Sequence, residues 1–281
     1  MKLMKSLIDT IKDQPLEIKQ ESMNDPRIVR FSYRSLHDDR IYGHLFKTEK
    51  EQHHACILLY HGLGAHTLTS GYLTFVKWWN DQGYDVIGMD VRHQGGISKG
   101  IPKVDQRGLY LSGIESFETY YYTSIYVDAY LLVDVLEKMK NYDHIYATGG
   151  SQGGALALFV SAMHPKIDLV MAEMPSNTEI KTLIHASEGG FKAFKTQSIH
   201  EPEWLYTEID LMSYAHLIKK PMLLSTGSID LICPPQTAKS FYERVSSPKQ
   251  FLIYEGYGHG GYDELLFKEK LQFINNYQKK A

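Results

Sequence analysis

Two cysteines among 281 residues, Cys56 and Cys233, lie far apart in the chain and leave no disulfide framework to read. A chain this long does without one, because at about 300 residues folding buries around 75% of the surface that the unfolded chain exposes. No apolar run approaches the roughly 18 residues of a membrane-spanning helix, so no membrane partner is expected. Neither sign of charge dominates: 30 Lys and Arg face 33 Asp and Glu, for a net charge of −3. The basic field that draws proteins to nucleic acid is missing, which excludes that partner. Metal-ligand spacings of the H-x-x-H, H-E-x-x-H or C-x-x-C kind do not occur, and the 13 histidines are dispersed. Neither a metal nor any other cofactor is called for. Low-complexity tracts and internal repeats are also lacking. With 43% hydrophobic and 22% charged residues, the composition is that of a globular protein, not a fibrous or disordered one.

Lys5, Asp9, Lys12 and Asp13 interrupt the N-terminal stretch before it reaches the apolar length of a signal peptide. Leu3, Met4, Leu7, Ile8 and Ile11 fall at helical spacing instead, which predicts a docked amphipathic helix and a cytoplasmic location. Further on, short β-branched runs alternate with longer helical patterns. Strands are predicted at 27–33, 40–46, 55–60, 85–91, 144–148, 168–174, 221–226 and 250–255, and helices at 71–82, 115–141, 152–164, 235–245 and 262–277. That alternation predicts one α/β domain over 1–281, a mostly parallel central sheet flanked by helices. The 152–164 helix is apolar nearly all round and reads as buried. In 115–141, Tyr121, Ile125, Ala129, Leu132, Leu136 and Met139 form one stripe, which predicts a long surface helix with a single buried face. The stretch 175–217 has helical pieces, a Gly189-Gly190 break and no convincing strand, and reads as a small helical cap inserted over the strand ends.

Gly149-Gly150-Ser151-Gln152-Gly153-Gly154 stands between a strand and the apolar helix, the setting in which G-x-S-x-G forms a nucleophile turn. Small residues there let strand and helix approach, and the turn presents the Ser151 hydroxyl at a helix N-terminus, where developing negative charge is favoured. The plainer alternative is a glycine-rich turn with a serine helix cap. A serine hydroxyl is a poor nucleophile at neutral pH unless a histidine base, oriented by an acid, takes its proton. On an α/β-hydrolase scaffold both follow in the chain, acid first, each just past a strand. Asp230 follows 221–226, and His259 follows 250–255 among Gly258, Gly260 and Gly261. His185, His200 and His216 precede Asp230, so chain order leaves His259 as the base. Asp90 and Glu255 are the rival acids. The oxyanion needs two backbone N–H donors. Gln152 supplies one, and Leu63, within His61-Gly62-Leu63-Gly64 straight after a strand, supplies the other. His61 itself reads as a structural histidine bonding neighbouring backbone.

Several segments resemble the acetyl xylan esterase and cephalosporin C deacetylase family of α/β-hydrolases. They are Met89-Asp90-Val91-Arg92-His93-Gln94-Gly95-Gly96, Tyr120-Tyr121-Tyr122 with Tyr126-Val127-Asp128-Ala129, Gly150-Ser151-Gln152-Gly153-Gly154, and Asp230-Leu231-Ile232-Cys233-Pro234-Pro235. The resemblance implies a Ser151, Asp230, His259 triad, removal of small acyl groups, chiefly acetyl, from acetylated sugars or similar alcohols, and a homo-oligomer, often a ring-like hexamer. The chain departs from the pattern at His93, where the family has Gly, at Leu63, where it has an aromatic, and at Gly260, where it has Glu. Arg92 and Gln94 read as ties between loops. Leu63 and Trp204 are the candidate pocket residues, whereas Trp78-Trp79 reads as packing a helix onto the sheet. Tyr120–Tyr122 reads as a sugar-stacking platform or, more plainly, as helix core plus surface. The expected activity is a serine esterase acting on a small-molecule ester. A broader short-chain carboxylesterase or a peptidase on the same fold, and a non-catalytic ligand-binding relative, stand as alternatives.

Overall fold

The computed structural model describes residues 1–50 and 52–278. They form two compact units, Met1–Tyr146 and the chain from Ala147 onward. The first opens with α1 (Lys2–Ile11), which buries Met4, Ile8 and Ile11, as their helical spacing requires. Then come β1 (Lys19–Ser22), β2 (Ile28–Arg34), β3 (Arg40–Phe46), β4 (Ala55–Tyr60), α2 (Ser70–Asp81), β5 (Asp85–Met89) and α3 (Tyr121–Met139). These strands lie in the order β1-β2-β3-β5-β4. The first three pairings are antiparallel, whereas β4 and β5 run parallel and need α2 as their crossover. All six residues of β4 are buried, in keeping with its unbroken apolar run. No sequence signal foretold β1: its four residues, Lys-Gln-Glu-Ser, are all exposed and show no alternation. Backbone pairing with β2, from Lys19 opposite Ser32 to Ser22 opposite Val29, defines it, and its polar exposed side chains suit an edge.

The helix α3 corrects the sequence reading. Residues Tyr121 to Val133 are all buried, and only Glu137 and Lys138 near its end are exposed, so it is a core helix and not a surface helix with one stripe. Two polar side chains off the apolar stripe have internal partners. Asp128 accepts Arg92 Nε and Nη2 at 2.8 and 2.7 Å and the Ser35 hydroxyl at 2.6 Å, and Ser124 donates to the Ile101 carbonyl at 3.1 Å. Tyr120, Tyr121 and Tyr122 are all 0% exposed and form neither a stacking platform nor a part-surface run. Of the tryptophan pair on α2, Trp79 is buried and Trp78 is half-buried, edge-on to Phe75 at 5.3 Å.

The second unit carries the end of β6 (His144–Gly150), α4 (Gln152–Met163), β7 (Leu169–Glu173), β8 (Met222–Gly227), α7 (Pro235–Arg244), β9 (Lys249–Tyr254) and α8 (Asp263–Gln278), with α5 (Ile180–Ala186) and α6 (Lys192–Thr196) between β7 and β8. Strands β6 to β9 neighbour one another in chain order. β7 and β8 are parallel, as are β8 and β9, and α7 makes the crossover between the last two. Gln152 through Ser161 of α4 are buried, which matches its apolar circumference. Between β7 and β8 there are only short helical pieces and no strand. One buried carboxylate organises them: Asp210 accepts the amides of Glu179, Ile180 and Met212 at 3.0, 2.7 and 2.9 Å, capping two helix starts at once. Among the described residues no helix is long and apolar enough to cross a membrane.

Candidate active site

Ser151 joins β6 to α4 with φ 56° and ψ −118°, a conformation that costs a non-glycine residue and persists only where its surroundings impose it. Its N–H donates to the Glu173 carbonyl at 2.9 Å, and its own carbonyl accepts the amides of Ala155 and Ser176 at 3.0 and 3.1 Å. Gly154 is required by the close approach of helix and strand, since a Cβ there would stand 2.9 Å from the Glu173 carbonyl oxygen and 3.1 Å from that of Gly149. Although Ser151 precedes the helix, its side chain makes no capping hydrogen bond, which removes the plainer reading of a serine cap. Its hydroxyl instead meets the thiol of buried Cys233. Burial, with the nearby Asp230 charge, pushes that thiol far up and keeps it neutral.

Asp230 and His259 sit on two loops past β8 and β9 that are laced together. The amides of Ser228 and Ile229 donate to the carbonyls of Tyr254 and Tyr257, each at 3.0 Å, and the Gly256 amide donates to the Ser228 hydroxyl at 2.9 Å. Gly227 permits the crossing: a Cβ there would lie 2.2 Å from the Gly258 carbonyl oxygen. The Asp230 side chain has no exposed surface, whereas that of His259 is 26% exposed. Asp230 Oδ1 accepts the amides of Ile232 and Cys233 at 2.8 and 2.9 Å, leaving Oδ2 to meet His259 Nδ1 at 2.7 Å. A carboxylate only accepts, so Nδ1 carries a proton, and in the neutral ring Nε2 is then the nitrogen with the lone pair. The Asp230 loop therefore reaches the histidine through its carboxylate and the serine through Cys233 two positions beyond Leu231.

The loop His61-Gly62-Leu63-Gly64 belongs to the first unit, where Leu63 is 47% exposed. His61 Nε2 accepts the Val91 amide at 3.0 Å and Nδ1 bonds the Gly62 carbonyl at 2.8 Å, which uses both ring nitrogens on backbone. Burial lowers its pKa, so the neutral ring is the stable form. Gln94 accepts the Gly64 amide at 2.8 Å and donates to the Tyr121 hydroxyl at 2.8 Å, and that hydroxyl donates to the Arg92 carbonyl at 2.9 Å. Gln94 thus ties this loop to α3, as its reading as a loop tie required. Arg92 is fully buried and bonds Asp128, Asp39 and the Ile101 carbonyl. Of the rival acids, Asp90 is engaged by the amide and hydroxyl of Thr67 at 2.9 and 2.5 Å, and Glu255 is exposed. Gln152 opens α4, and Trp204 is half-buried ahead of the helical turn Leu205–Ile209.

Residues 4–277 match the family described as acetyl xylan esterase (AXE1). The chain belongs to the acetyl xylan esterase family. Members of that family are carboxylic ester hydrolases of the α/β-hydrolase fold. An acetyl xylan esterase from Paenibacillus sp. R4 superposes with a TM-score of 0.81 at 26% identity, covering 98% of this chain and 92% of the other. Acetyl xylan esterase 1 from Thermoanaerobacterium sp. JW/SL YS485 shares the fold at a TM-score of 0.83 and 23% identity, over 97% and 92% of the two chains. Acetyl esterase Axe7A of Xylanibacter ruminicola is 27% identical over 153 residues, 53% of this chain and 35% of that protein. The chain therefore matches about a third of the length of that curated relative.

Sequence reasoning passed over two residues beside the candidate nucleophile turn, Glu173 and Lys270. Both stood in plain view as charges in apolar patterns. Glu173 interrupts the β7 run Leu-Val-Met-Ala-Glu, and Lys270 falls between Leu266 and Ile274 on the buried stripe of α8. Cys233 was legible only as part of a motif, because nothing local places its thiol beside Ser151.

Proposed function

We propose that this member of the acetyl xylan esterase family is a serine esterase that removes acetyl and other small acyl groups from acetylated sugars or similar alcohols. Ser151 is the nucleophile, His259 the base and Asp230 the group that orients it. The observation that carries the reading is the 2.7 Å contact from buried Asp230 to His259 Nδ1, which leaves Nε2 as the free base. The strained backbone of Ser151 and its unused capping position support the same assignment. In the reaction His259 Nε2 takes the hydroxyl proton as Ser151 Oγ attacks the acyl carbon. The amides of Leu63 and Gln152 hold the oxyanion, and the alcohol leaves with the proton from His259. Water, deprotonated by the same nitrogen, then attacks the acyl-serine and releases the acid. The segment 175–217, including Trp204, serves as a cap bordering the acyl or alcohol pocket, together with the Leu63 side chain.

A second reading, a broader short-chain carboxylesterase, is favoured by one feature: Ile229 and Leu231, flanking Asp230, are 60% and 67% exposed, an apolar rim suited to apolar alcohols. Purified protein assayed on acetylated xylooligosaccharides and on nitrophenyl esters of increasing acyl length separates the two. A rate that falls sharply beyond acetyl supports the deacetylase, and a flat profile with inert sugars supports the carboxylesterase. Failure of Ser151 in folded protein to react with a fluorophosphonate would sink both.

A further inference from the structure

Two charged side chains with no part in this acyl transfer are buried beneath the nucleophile turn. Glu173, the last residue of β7, is 7% exposed, and Lys270, midway along α8, is 5% exposed. Lys270 Nζ donates to Glu173 Oε1 in a close contact between residues 97 positions apart. Removing two charges from water costs about as much as their attraction returns, so stability alone does not account for such a pair.

Glu173 touches the nucleophile turn on several sides. Its carbonyl accepts the Ser151 amide at 2.9 Å. The same carbonyl faces Gly154, and its Oε2 would stand 3.6 Å from a Cβ at Gly150. Lys270 belongs to the helix that begins at Asp263, directly after the His259 loop. Tyr262, the hinge between them, is 1% exposed, points its hydroxyl at Met174 Sδ at 3.8 Å and stacks on Tyr254 with ring centroids 4.3 Å apart. The ammonium–carboxylate contact therefore fastens the helix that follows the histidine loop to the strand end that supports the serine.

We propose that Glu173 and Lys270 are a positioning pair that holds the helix after the His259 loop against the Ser151 turn and so sets the approach of imidazole to hydroxyl during acyl transfer. The pair acts through these two residues, and the proposal rests on their reading as base and nucleophile. Either single replacement leaves a bare charge in the interior and lowers stability and activity together. The informative protein is the double variant Glu173→Gln/Lys270→Met, which removes both charges and keeps the side-chain lengths close. Positioning requires it to melt near the wild-type temperature while kcat on nitrophenyl acetate falls by about tenfold or more, since small misplacements cost rate steeply. KM should stay within about twofold, because substrate binding is untouched, and fluorophosphonate should label Ser151 correspondingly more slowly. Wild-type kcat in the folded double variant overturns the proposal, because the charges then only fill space. Should the double variant not fold, Lys270→Arg decides, as it keeps the charge but moves the donors. A several-fold lower kcat at unchanged KM is the supporting result, and unchanged kcat the opposing one. Ser151→Ala, measured alongside, tests the acyl-transfer reading separately: persistent turnover there removes that reading whatever the pair does.

Discussion

Replacing Asp230 with Asn exchanges one carboxylate oxygen for an NH2 on a side chain that no solvent reaches. Oδ1 can still accept the amides of Ile232 and Cys233, now at 2.8 and 2.9 Å, so the loop keeps its shape. The side-chain NH2 then faces His259 Nδ1 in place of the carboxylate oxygen now 2.7 Å away. A donor opposite Nδ1 forces the ring into the tautomer that protonates Nε2, and a protonated Nε2 cannot take the Ser151 proton. In serine hydrolases this swap costs about 10⁴ in kcat, or about 5 kcal/mol of transition-state stabilisation. The cost in stability is smaller. Charge-assisted hydrogen bonds become neutral ones, a loss of about 1 to 2 kcal/mol, which lowers the melting temperature by a few degrees at this chain length. Stopped assays with nitrophenyl acetate, alongside a thermal melt, separate the two effects. A folded Asp230→Asn protein that keeps kcat within about tenfold of wild type refutes the assignment, because the carboxylate would then not be orienting the base.

Other perturbations address the scaffold. Gly154→Ala pushes a methyl against two carbonyl oxygens at 2.9 and 3.1 Å, and overpacking of this kind costs about 1 to 3 kcal/mol, to be read from urea denaturation. Arg92→Lys cannot reproduce the two-pronged contact with Asp128 at 2.8 and 2.7 Å. Leaving that buried carboxylate poorly paired should cost about 3 to 5 kcal/mol in the same assay. The pKa of His61 is lowered from 6.5 by burial, so the unfolded chain binds a proton that the folded protein refuses. Its contribution to stability is complete above 6.5 and is lost as the pH falls below that value. A His61→Asn variant should show a shallower decline of unfolding free energy on acidification, and an unchanged slope would contradict the buried neutral ring.

Strands and helices that carry their own periodicity were legible almost to the residue. β3 and β4 fall at the predicted bounds, 40–46 and 55–60, and α4 begins at the residue after Ser151. β1 was not legible, because four exposed polar residues become a strand only when β2 is beside them. At α3 the apolar stripe predicted a single buried face, yet Thr123, Ser124 and Asp128, which lie off it, are buried too. The partners of Ser124 and Asp128, the Ile101 carbonyl and Arg92, come from other parts of the chain.

The proposed roles of Ser151, Asp230 and His259 start from signals carried within a few residues: a serine in a glycine-rich strand-to-helix turn, and an acid and a histidine at later strand ends. Which buried charges would find one another was settled only by folding. Asp128 meets Arg92 across 36 positions and Glu173 meets Lys270 across 97. Desolvation makes each of these ions costly alone, and the compensating partner lies where the packing of distant elements brings it, which no local pattern encodes.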